Sequence, residues 1–117
     1  MSDVTFAATS IDCANASASA AFYAELLGWK VTYDEGGMAA VEGDGTTLYF
    51  GEIAGYVAPG WPSDSKQFHL DLRAPDPEAL VDRVSQLGGS KPEFQPGESW
   101  IVFLDPAGHP FCISRAA

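Results

Sequence analysis

The second half of this chain repeats the plan of the first, and that repeat limits the fold more than any other feature. A shift of 61 residues carries Phe50 onto Phe111, Gly51 onto Cys112, Asn15 onto Asp76 and Ala8 onto His69. In the first half, Val4 to Ile11 predicts a strand, and Asn15 or Ser17 supplies a helix N-cap. Ala18, Phe22, Tyr23, Leu26 and Leu27 then fall on one helical face, and Gly28 stops the helix. Trp29 to Tyr33, Met38 to Val41 and Thr46 to Ile53 predict strands between glycine turns.

The second half follows the same order. Gln67 to Leu72 alternates, with Phe68, Leu70 and Leu72 on one face and His69 and Asp71 on the other. Asp76 caps a helix with Pro77 in its first position, and Leu80, Val81, Val84 and Leu87 form its apolar stripe. Lys91 to Phe94, Trp100 to Leu104 and Pro110 to Ser114 complete the set as strands. The fold class is therefore α+β: two tandem βαβββ modules, about 1–54 and 67–117, joined by a linker over 55–66 within one domain. One helix covers one face of each small sheet. The other faces are expected to curve around a cavity, with surface left over for a two-fold homodimer.

Composition narrows the partners. The net charge is −10 with only six Lys and Arg, which repels nucleic acid and anionic membranes and favours cationic or neutral ligands. Two cysteines and no basic-then-apolar leader point to a cytoplasmic protein without a disulfide framework.

Four stretches resemble one family: AFYAELLGW at 21–29, PGWP at 59–62, FHLDL at 68–72 and LDPAGHPFCI at 104–113. Together they are similar to the vicinal oxygen chelate superfamily, which holds glyoxalase I, extradiol dioxygenases, fosfomycin resistance enzymes and bleomycin-binding proteins. The chain looks closest to its small glyoxalase-like members. In the metal-using relatives each module gives one ligand from its first strand, typically His or Gln, and one from its last, typically Glu. The resemblance places those four positions at Ala8, Gly51, His69 and Cys112. Ala8 and Gly51 offer no side-chain donor, and a thiol is a poor ligand for Mg²⁺, Mn²⁺ or Ca²⁺. No metal ligand and no cofactor are therefore expected, with a divalent metal at His69 as the lesser expectation.

The candidate ligand-binding residues are His69, Asp71, Cys112, Tyr49 and Trp61. His69 is expected to face the cavity, with Asp71 on its side of the strand. Cys112 is expected to share that side, either as a small buried residue or as a thiolate activated by His69. Tyr49, which shares a strand face with Gly51, is expected to line the cavity, and Trp61 is expected to close its mouth. His109 is read as a turn residue, Cys13 receives no role, and no catalytic residue is assigned. Three functions stay open. The first is a metal-free small-molecule binding protein that sequesters an antibiotic or metabolite. The second is a glyoxalase-like lyase, isomerase or dioxygenase with an incomplete metal site. The third is a dimeric interaction module without a ligand.

Overall fold

A computed structural model describes the chain over residues 3, 5–62 and 68–116. It divides into two units, Met1–Tyr56 and Val57–Ala117.

In the first unit, β1 (Thr9–Cys13), β2 (Lys30–Glu35), β3 (Met38–Gly43) and β4 (Thr46–Glu52) form a sheet in the order β1-β4-β3-β2. The β1–β4 pair is parallel and the others are antiparallel. Helix α1 (Ala16–Leu27) packs on β2, β3 and β4. Two of its free N-terminal amides are satisfied by side chains. Asn15 Oδ1 accepts from the Ala18 N–H at 3.0 Å, and Glu52 Oε2 accepts from the Ala16 N–H at 3.0 Å. Gly28 ends the helix at φ 70°, a left-handed turn that glycine adopts without strain. The buried stripe is Ala16, Ser19, Ala20, Tyr23 and Ala24, joined by Phe22. Ala18, expected on that face, is exposed. The small residues let the helix approach closely enough for Tyr23 to stack on Phe50 of β4 at 5.5 Å.

In the second unit, β5 (Leu70–Ala74), β6 (Trp100–Leu104) and β7 (Pro110–Arg115) form a three-stranded sheet in the order β5-β7-β6. Between β5 and β6 a 3-10 turn (Pro77–Leu80) runs into the short helix α2 (Val81–Gln86). Asp76 takes the extended N-cap position and Pro77 the first helical one, but the Asp76 side chain makes no cap hydrogen bond. Ile101 and Phe103 of β6 and Phe111 and Ile113 of β7 are buried together with Val84, and Phe103 stacks on Phe111 at 5.6 Å. Each fully buried ring contributes about 2–3 kcal/mol. The β6–β7 turn is held by the buried Asp105 carboxylate, whose Oδ1 accepts from the amides of Ala107 and His109 at 2.9 and 3.0 Å. His109 thus serves the turn through its backbone.

The expected strand over Lys91 to Phe94 does not form; only an isolated bridge joins Ser90 to Leu104. Pro92 lacks the N–H that a ladder position needs. The side chain of Gln95 takes its place. Its amide oxygen accepts from the Val102 N–H at 2.8 Å, and its amide nitrogen donates to the Val102 and Pro92 carbonyls at 2.9 Å each. One carboxamide therefore pairs the outer edge of β6 as a neighbouring strand would.

The first strand of each module starts later than expected: β1 begins at Thr9, after Ala8, and β5 at Leu70, after His69. Val4, Gln67 and the linker residues Ser63 to Lys66 lie outside the described residues. The two modules also differ in register. Phe50 pairs with Ile11, whereas Phe111 pairs with Leu70. Likewise Gly51 pairs with Asp12 and Cys112 with Asp71. Measured from the last strand of its module, the counterpart of His69 is therefore Ser10, not Ala8. A slide of two residues keeps every side chain on its own face, so alternation in the sequence carries no trace of it.

Candidate functional site

The site is built on the face of the second sheet opposite Phe103, Phe111 and Ile113. Register lays its residues out in rows. Arg73 of β5 pairs with Ser114 of β7, which pairs with Trp100 of β6. Two residues along, Asp71 pairs with Cys112, which pairs with Val102. His69 continues the β5 alternation one residue before the strand begins, on the side of Pro110. These residues floor a concavity of about 850 Å³, within the usual range for small-molecule pockets. The column along β5 is polar and the column along β6 is apolar.

Two loops wall the concavity with aromatic rings. Trp61 and Pro62 come from the chain before β5, and Phe94 and Pro96 from the segment that replaced the missing strand. The Trp61 Nε1–H donates to the Phe94 carbonyl at 3.1 Å, and the two rings sit 6.2 Å apart at 43°. Gln95 ties the same segment to β6, so the Phe94 wall is fixed from both sides. Trp100 lies over Gly97, where a Cβ would stand 2.3 Å from the indole. Gly97 thus lets the ring lie against the backbone.

The expected residues divide between the units. His69, Asp71, Cys112 and Trp61 come together in this concavity. Tyr49 stands on β4 of the first unit, 43% exposed, on the face it shares with Gly51. Arg73, Trp100, Phe94 and Pro96 were not singled out from the sequence. Arg73 was within reach, since it continues the His69–Asp71 alternation.

His69 Nε2 and Asp71 Oδ1 are 3.1 Å apart. The imidazole is thus engaged by the carboxylate. Cys112 is nine-tenths buried, and burial pushes its thiol above its ordinary pKa, with the Asp71 carboxylate pushing the same way. Both effects disfavour the activated thiolate and favour the reading of Cys112 as a small buried floor residue.

The comparisons agree with this architecture. The model of the glyoxalase-like domain matches residues 8–114, so the chain belongs to that family and with it to the vicinal oxygen chelate superfamily. No curated protein matches the chain. Among solved structures, it is similar to a hypothetical protein from S. aureus, with TM-score 0.72, 19% identity and coverage of 98% of this chain and 96% of that one. A glyoxalase family protein from Enterococcus faecalis gives TM-score 0.70 at 17% identity, covering 95% and 97%. A bleomycin-binding protein from Streptomyces verticillus, solved with copper(II)-bleomycin, gives 0.62 at 14%, covering the whole of both chains. At such identities the fold is what is shared.

Members of the superfamily often bind a divalent metal. Among the described residues, His69, Asp71 and Cys112 bring one ligand atom each within 4.8 Å of one another. One imidazole, one carboxylate and one buried thiol do not fit Mg²⁺, Mn²⁺ or Ca²⁺, which require a shell of oxygens. A thiophilic ion such as Zn²⁺ would need the Cys112 proton removed against both burial and the Asp71 charge. No helix among the described residues is long and apolar enough to cross a membrane.

Proposed function

We propose that this protein is a small-molecule binding protein that works without a metal and sequesters a flat aromatic compound in the concavity of its second unit. The observation that carries this reading is the lining. Trp61, Phe94 and Trp100 border one concavity, which Pro62, Pro96 and Pro110 also line. Stacking and burial between such rings bind planar ligands without any reacting group. The bleomycin-binding relative of the same fold supports small-molecule binding as a use of this architecture.

The reading is tested by titrating the purified, metal-analysed protein with 2-naphthamide while following tryptophan fluorescence. Trp61 and Trp100 are two of the three tryptophans, so binding quenches most of the signal, and Trp100→Ala weakens it. Saturable binding by protein free of stoichiometric metal supports the proposal; no binding at millimolar probe overturns it. A second reading, a metal-dependent lyase, isomerase or dioxygenase, is favoured by the His69–Asp71–Cys112 cluster alone. A stoichiometric ion lost in Cys112→Ser would favour it. The protein is further proposed to act as a cytoplasmic homodimer, so light scattering should return twice the 12.4 kDa chain mass.

A further inference from the structure

The acidity of the whole chain and the chemistry of its concavity point in opposite directions. We infer that the ligand carries an anionic group, a carboxylate or its equivalent, which binds Arg73 while its aromatic body lies toward Trp100. The inference rests on the binding reading above and adds the charge and the orientation of the ligand.

Three observations carry it. Arg73 lines the concavity on the same face as Asp71, and among the described residues its side chain has no hydrogen-bond or ion-pair partner. Asp71, the nearest charge on the strand, already has the His69 imidazole at 3.1 Å. The cation is therefore the uncommitted charge of the polar column. Finally, register puts Arg73, Ser114 and Trp100 in one row across three strands. Adjacent strands lie about 4.8 Å apart, so the guanidinium-bearing and indole-bearing positions are separated by about 10 Å. A two-ring aromatic acid is of comparable length. Its carboxylate meets a planar, bidentate donor at one end, the Ser114 hydroxyl stands alongside, and its rings meet Trp100 at the other end.

The net charge of −10 does not decide the matter. Exposed charges more than about 8 Å away are largely screened at physiological ionic strength. Asp71 lies two residues along the strand from Arg73, about 7 Å away, so its repulsion is about half of a contact attraction at equal dielectric.

Calorimetric titration with three probes sharing one ring system tests the inference: 2-naphthoate, neutral 2-naphthamide and cationic 2-naphthylmethylammonium. A charge-assisted bond to Arg73 should make naphthoate bind about tenfold or more tighter than the amide, and the ammonium weakest. Arg73→Gln should erase the difference between acid and amide, and Arg73→Lys should restore part of it. Equal affinity for all three probes, or preference for the ammonium, overturns the charge assignment and leaves the binding reading standing. Binding of none of them overturns both. An acid preference that survives in Arg73→Gln places the anion elsewhere and also overturns the inference.

Discussion

Cys112 shows how the surroundings of one side chain choose between two chemistries. Its spacing from His69 in the repeat fits an activated thiol as well as a buried apolar residue. Packing favours the latter, because burial and the Asp71 charge both raise the thiol pKa. The thiol should therefore alkylate with iodoacetamide at pH 8 markedly more slowly than free cysteine, as measured by peptide mass mapping that separates it from buried Cys13. The sign for stability follows from the raised value. The folded state favours the protonated thiol, so its contribution is full below the ordinary thiol pKa and is lost as pH rises through the folded one. The His69–Asp71 pair is worth little to the fold, since both side chains are well exposed, 39% and 73%. Its position matters more than its energy. Most of this face was readable residue by residue: His69 and Asp71 alternate on β5, and Cys112 alternates between Phe111 and Ile113. Arg73 belongs to the same alternation, but a lone cation on an acidic chain draws no notice until a concavity forms around it.

At the level of elements, strands with strong alternation or an unbroken apolar run matched closely, as at Trp100–Leu104 and Met38–Gly43. The absence of a strand at Lys91 to Phe94 has a physical cause. Pro92 cannot donate to a ladder, and a glutamine side chain three residues on carries the same donor and acceptor as a peptide group. Gln95→Leu would leave the Val102 N–H and carbonyl unpaired at the edge of β6 and release the Phe94 wall. The expected cost is about 2 kcal/mol, measured by urea unfolding, with weakened naphthamide binding in the folded fraction. Gln95→Glu restores the acceptor but not the donors and should fall between. The two-residue slide between the modules was beyond reach of the sequence for a different reason. Face parity is what periodicity reports, and the slide preserves parity. Only the hydrogen-bonded pairing of β1 with β4 and of β5 with β7 shows that Ser10, rather than Ala8, stands where His69 stands.

For the whole molecule, two copies of one plan have been put to unequal use. The first unit carries the longer helix and a complete four-stranded sheet, and it presents Tyr49, Tyr33 and Met38 as exposed apolar side chains. The second unit has exchanged a strand for a loop, and that loop supplies Phe94 and Pro96 to the concavity. The stretch without regular structure is thus the one that walls the concavity. That concavity is the proposed metal-independent site for a flat ligand. Its most direct test is a ¹H–¹⁵N correlation spectrum of ¹⁵N-labelled, chelator-treated protein titrated with 2-naphthamide. The indole N–H signals of Trp61 and Trp100 and the amides of Val102, Cys112 and Ser114 should shift together and saturably. Shifts confined to the first unit, or none until a divalent metal is added, would contradict it.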